Sequence, residues 1–150
     1  MYSFNGRFNY RLDDKNRIRI PPKFKPELEG GYKLAYGPGN SIYVMPMKEY
    51  QKIIESFGDV SFFDEDAQNQ ISLFTSMVHD VTEDNQGRVM LPAEMRAYAG
   101  IDKDIVITGA AAYIRIESAE AFAKRTQNLN ISNIFAKLNA LTQSKDKDKE

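Results

Sequence analysis

Cysteine is absent from the 150 residues. Disulfides and thiolate metal ligands are therefore excluded, and a cytoplasmic location is the simplest expectation. Histidine occurs once, as His79, which leaves little material for a zinc site. No apolar run approaches the roughly 18 residues of a membrane span, and polar residues interrupt every apolar stretch near the N-terminus, unlike a signal peptide. A catalytic constellation is missing too. His79 stands beside Asp80, but no Ser or Cys nucleophile is marked, and neighbours in a strand point to opposite faces. Neither an enzyme nor a cofactor or metal site is expected. What is present suits an ordinary globular domain: hydrophobic residues make up 42% of the chain.

Charge is unevenly spread. The net charge is −1. Residues 1–28 nevertheless hold seven basic side chains against three acidic ones, a net of +4, whereas residues 29–81 hold three against eight, a net of −5. A local basic patch matters more for a polyanion partner than the chain total.

That patch coincides with a repeat. Asp13-Asp14-Lys15-Asn16-Arg17-Ile18-Arg19-Ile20-Pro21 returns as Asp84-Asn85-Gln86-Gly87-Arg88-Val89-Met90-Leu91-Pro92, each position displaced by 71. An Asp, an Arg four later and a Pro four after that are common to both copies. One small unit is used twice, presenting the same polar loop each time.

Phe8, Tyr10 and Leu12 alternate with polar residues, as do Ile18 and Ile20, which is the period of half-buried strands. Two such runs joined by four polar residues read as a β-hairpin. Asn16 and Gly87 occupy the same loop position, and both residue types tolerate positive φ, so a left-handed turn is expected there. If Ile18 and Ile20 face the core, Arg17 and Arg19 face outward, with Arg11 on the same outer side. In the second copy Val89 and Leu91 point inward, Arg88 outward, and Met90 replaces Arg19. Unequal contributions from the two copies follow.

Pro21 and Pro92 can each open a short helix. Ala93–Ala99 with Gly100 as its stop fits one well, while Pro26 should distort the other. Further strand pairs are expected from Leu34 and Tyr36 to Ile42 and Val44, around the turn Gly37-Pro38-Gly39-Asn40. Their expected counterparts are Ile105 and Ile107, then Tyr113 to Ile116. Met47, Tyr50, Ile53, Ile54 and Phe57 follow helical spacing, a second helix should run from Asp64 to about Val78, and Ser118 should cap another through Arg125. Ile131, Ile134, Phe135, Leu138 and Leu141 mark a last amphipathic helix, and the tail Ser144–Glu150 should be disordered. Neither strand set alone could bury an adequate core. The fold class expected is mainly β with flanking α-helices, the halves interleaved into one pseudo-twofold β-barrel-like body.

The residues Leu12-Asp13-x-Lys15-Asn16-Arg17-x-x-Ile20-Pro21-x-x-Phe24-Lys25 and Asp84-x-x-Gly87-Arg88-x-x-Leu91-Pro92-x-x-Met95-Arg96 resemble the MraZ family over residues 4 to about 125. Asn16 stands where the family usually has Gly. The resemblance implies two tandem AbrB-like (SpoVT-AbrB, swapped-hairpin) modules. These would span 4–50 and 79–125, with connecting helices over 51–78 and a C-terminal helix and tail over 126–150. It implies a transcriptional regulator that binds direct repeats of double-stranded DNA upstream of the division and cell-wall gene cluster. Such a protein would act as a homo-oligomeric ring, associated with the nucleoid. By position, the DNA-contacting candidates are Lys15 and Arg17 with Arg88, joined by Gln86 at the position of Lys15 and by Arg11 and Arg19 on the strands. Asp13, Asn16, Asp84 and Gly87 would hold the loops in shape. A β-ribbon fits the major groove, where arginine can pair with guanine through two hydrogen bonds. The alternative from another class is an interaction scaffold or antitoxin-like partner, using the same body to hold a protein.

Overall fold

The computed structural model describes residues 1–148. Two compact units make up the chain, residues 1–119 and the segment from Glu120 onward. In chain order the first half holds β1 (Arg7–Arg11), β2 (Arg17–Arg19), a 3-10 segment (Pro22–Leu28), β3 (Tyr32–Gly37), β4 (Ser41–Pro46), α1 (Met47–Ser56) and α2 (Glu65–Ser76). The second holds β5 (His79–Asp80), β6 (Arg88–Met90), α3 (Ala93–Ala99), β7 (Asp104–Ala110), β8 (Tyr113–Ser118), α4 (Ala119–Thr126) and α5 (Ile131–Asp148). No helix among the described residues is long and apolar enough to cross a membrane.

The halves interleave. A six-stranded antiparallel sheet runs β1-β7-β8-β4-β3-β5, and a separate two-stranded ribbon is formed by β2 and β6. The simple β1–β2 hairpin expected from alternation is therefore corrected: β1 pairs with β7, and β2 pairs with β6. Two backbone bonds, Asp13 N–H to Arg17 O at 3.1 Å and Asn16 N–H to Asp13 O at 2.9 Å, close the loop between them. Beyond it the two strands enter different sheets, because each finds its partner in the other repeat. Arg11 consequently belongs to the six-stranded sheet and does not share the ribbon with Arg17 and Arg19.

Pairing registers reveal the pseudo-twofold. Ile18 faces Val89 across the ribbon and Tyr43 faces Arg115 at the sheet centre, so each of these two pairs joins equivalent positions of the repeats. The expected counterparts in β3 and β7 need correction. Asn9 pairs with Val106 and Lys33 with Asp80, which makes Lys33 equivalent to Val106, and Leu34 to Ile107 rather than Ile105. Face parity is unchanged. The shift arises because the second repeat is longer between its proline and third strand, where α3 replaces the 3-10 segment that Pro26 interrupts.

One apolar cluster unites both sheets. Ile18, Ile20, Val89 and Leu91 of the ribbon segments pack with Ile42, Val44, Ile105, Ile107, Ile114 and Ile116 of the large sheet. Each fully buried Ile or Leu contributes about 1.5–3 kcal/mol, so the ribbon is anchored by its inner face. The large sheet is open, with β1 and β5 as its edges; the body is barrel-like only in that the ribbon shares the core of that sheet. Gly109 lets the N-terminal segment cross closely: a Cβ there would lie 2.2 Å from Asn5 N.

Asp64 caps α2 by accepting from Ala67 N–H at 3.1 Å, and Phe57 meets Phe74 edge-on at 6.0 Å between ring centroids. In the second unit, α5 leaves Ile131, Ile134, Phe135, Leu138 and Leu141 exposed. Helix continues through Asp148, which corrects the disordered tail expected from Ser144; once a helix is nucleated upstream, each added residue gains a backbone bond at little cost. Lys149 and Glu150 lie outside the described residues.

Candidate nucleic-acid interface

The two repeat loops share one hydrogen-bond plan. Asp13 Oδ1 accepts from the backbone N–H groups of Lys15 at 2.9 Å and Arg17 at 2.8 Å, and Asp13 Oδ2 accepts from Arg17 Nε at 2.8 Å. In the second loop Asp84 Oδ1 accepts from Gln86 N–H at 2.9 Å and Arg88 N–H at 2.8 Å, and Asp84 Oδ2 from Arg88 Nε at 2.7 Å. A carboxylate two and four residues before the N–H groups it serves is the geometry of an Asx turn. The loops then turn through Asn16 at φ 59° and Gly87 at φ 74°, the left-handed conformation expected at that shared position.

Antiparallel pairing of β2 with β6 brings the loops together. Arg17 Nη1 reaches Asp84 Oδ2 at 3.3 Å, and Arg88 Nη1 stands 3.8 Å from Asp13 Oδ2. Four side chains from two repeats thus form one neutral quartet across the ribbon. The arginine side chains are 23% and 29% exposed, so each guanidinium is braced instead of standing free in solvent. Each still has donors to spare: Nε and Nη1 are engaged, while Nη2 has no protein partner among the described residues. A guanidinium held on one edge and open on another loses less rotamer freedom when it binds a target.

Electrostatics agree with the geometry. At Asp84 the Arg88 backbone N–H is the largest influence; with the Arg88 side chain and the Gln86 N–H it outweighs partial burial and lowers the carboxyl to about 2. At Asp13 partial burial is the largest single effect and pulls upward, yet the Arg17 and Lys15 hydrogen bonds together outweigh it and the carboxyl is lowered. Both aspartates are ionised at neutral pH.

Lys15, Arg19 and Gln86 are exposed. Of the four outward side chains of the ribbon, Arg17 lies across from Met90 and Arg19 across from Arg88. Arg11 stands apart on β1, 71% exposed and 3.6 Å from Asp104. The structure thus gathers Lys15, Arg17, Arg19, Gln86 and Arg88 on and around one ribbon and leaves Arg11 in the neighbouring sheet.

Sequence reasoning missed the supports outside the repeat. Lys103 Nζ approaches Asp13 O at 3.4 Å and Asn16 Oδ1 at 3.5 Å, beneath the first loop. Before the second loop, Glu83 accepts from Lys25 and, at 2.6 Å, from the Tyr32 hydroxyl. Burial raises the Glu83 carboxyl, but those two donors outweigh it and lower it overall. Of these residues only Lys25 has a like-charged counterpart at the 71-residue spacing, Arg96; Lys103, Tyr32 and Glu83 align with unlike residues, so the internal comparison could not mark them.

Comparison with known proteins matches this architecture. The model of the family described as "MraZ protein, putative antitoxin-like" fits the chain twice, over residues 3–72 and 76–145; each match takes in one strand set and the helix pair after it. A protein of Clostridium tetani named transcriptional regulator MraZ is 34% identical over 139 residues, covering 92% of this chain and 98% of that protein. Proteins of the same name from Frankia casuarinae and Paenarthrobacter aurescens are 39% and 38% identical, covering 78% and 79% of this chain and 82% and 83% of their own lengths.

Proposed function

This chain belongs to the MraZ family, and on that premise we propose that it is a sequence-specific, DNA-binding transcriptional regulator rather than an enzyme. The relatives' name supports the regulatory role. The observation that carries the DNA reading is the two-stranded ribbon, whose outer face holds three arginines and whose flanking loops hold Lys15 and Gln86. A two-stranded ribbon enters the major groove of B-DNA. Arg17 and Arg88 would meet base edges from their braced positions. Lys15, Arg19 and Gln86 would add contacts around them, and Arg11, just before the first loop, would meet phosphate.

The target is a set of tandem direct repeats in the promoter of the division and cell-wall gene cluster, read in the cytoplasm at the nucleoid. One ribbon makes few contacts. A homo-oligomeric ring that places several ribbons on successive repeats gains affinity through effective concentration, which explains how a chain of net charge −1 holds DNA. The exposed apolar residues of α2 and α5, among them Leu73, Phe135 and Leu141, are the surfaces from which such an assembly would be built. The same faces would serve the second reading, an antitoxin-like scaffold holding a protein.

Titration of promoter DNA with the purified chain separates the two. On the regulator reading, Arg17→Ala costs about 1–3 kcal/mol of binding and relaxes base preference, and affinity falls steeply with salt. Unchanged binding by both Arg17→Ala and Arg88→Ala would favour the scaffold.

A further inference from the structure

The pseudo-twofold of the body is broken on the surface that faces outward. Arg17 and Arg88 are equivalent under the repeat, but the equivalent of Arg19 is Met90. Strand parity points Met90 away from the core, because Val89 and Leu91 on either side of it are buried. Met90 is 62% exposed, an apolar side chain among arginines on the proposed contact face. Cross-strand pairing then sorts the face into two unlike ends. At one stand Lys15, Arg17 and Met90; at the other stand Gln86, Arg88 and Arg19.

We infer that Met90 is a specificity-determining residue that reads the 5-methyl group of a thymine at the Arg17 end of the ribbon. This inference rests on the duplex-DNA reading above. Phosphates and the edges of guanine, adenine and cytosine offer charge or hydrogen bonds, which a thioether, at most a weak acceptor, answers poorly. The thymine methyl is the apolar feature that a major groove presents. Methionine suits it, being unbranched, polarizable and able to adjust along three rotatable bonds. Where Arg19 adds a charged contact at the far end, Met90 removes one and substitutes an apolar contact. The duplex that fits best is consequently not self-complementary, although the protein body is nearly twofold. A single orientation on DNA follows, as tandem sites of one direction require.

The test uses the full chain and the tightest duplex selected from a randomised pool, with each thymine replaced in turn by deoxyuridine, which lacks only the methyl. One position should weaken wild-type binding about fourfold, the factor expected for burying a single methyl. Met90→Ala should bind the thymine duplex more weakly and be indifferent to deoxyuridine at that position. Met90→Arg, which restores the residue of the first repeat, should also be indifferent and should select more nearly self-complementary duplexes. Met90 is outside the core, and unchanged thermal unfolding would verify that both variants fold. Wild-type binding indifferent to deoxyuridine everywhere would overturn the inference, as would a Met90→Ala variant that keeps the full deoxyuridine penalty. Recovery of no duplex above the random pool would instead sink the DNA reading itself, and this inference with it.

Discussion

Arg17 Nη1 lies 3.3 Å from Asp84 Oδ2, so the arginine of one repeat is clasped by the aspartate of the other. The two loops are separated by 71 positions in the chain yet share one charge network. Moving either loop disturbs both, and the ribbon between them presents its arginines as a unit.

A double-mutant cycle measures that coupling. Arg17→Ala and Asp84→Ala, followed by urea unfolding, should be markedly non-additive, the double variant losing clearly less stability than the two single losses together. Strict additivity would show that the contact across the repeats contributes nothing.

Acid should release the quartet. The Asp84 carboxyl is lowered from 3.8 to about 2 in the folded chain. A lowered folded value means the stabilisation is fully present above the unfolded value and is lost as pH falls from about 4 towards 2. The stability gap between wild type and Asp84→Asn should accordingly be widest above pH 4 and close near pH 2. A gap constant across that window would contradict the assignment.

Gly109→Ala should destabilise the chain by about 1–3 kcal/mol, the usual range for overpacking, because the new Cβ would meet the backbone at Phe4 and Asn5. The bridge between Phe4 and Ala111 should open with it, seen as faster amide exchange at Ala111. Unchanged exchange there would show that the N-terminal segment is held by other contacts.

Lys15→Ala should weaken all duplexes alike and reduce the slope of log affinity against log salt by about 0.9, as loss of one phosphate contact requires. A change in base preference with the slope intact would place Lys15 on a base edge instead.

Much of this was legible in the chain. The doubled Asp-x-x-x-Arg spacing located both loops, the pairing of Asn16 with Gly87 foretold their left-handed turn, and alternation put Ile18, Ile20, Val89 and Leu91 inside. Strand exchange was not visible in alternation, which tells which face a residue takes and nothing of which strand lies beside it; hence the hairpin drawn between β1 and β2. Alternation matches Leu34 to Ile105 as readily as to Ile107, because a two-residue slip preserves face parity and leaves no trace in the pattern. The quartet escaped for a similar reason: ion pairs within each loop follow from spacing, whereas those between loops depend on the β2–β6 register. Lys103 was hidden because its partners are the Asp13 backbone oxygen and the Asn16 side-chain oxygen.

The most direct test of the ribbon as the DNA-contacting surface is nuclear magnetic resonance of the arginine Nε–H groups during titration with promoter duplex. The Arg17 and Arg88 signals should shift strongly, together with the backbone amides of Lys15 and Gln86, while those of α1 and α2 stay in place. Shifts confined to the helices, with both arginine signals unmoved at saturating DNA, would contradict the account.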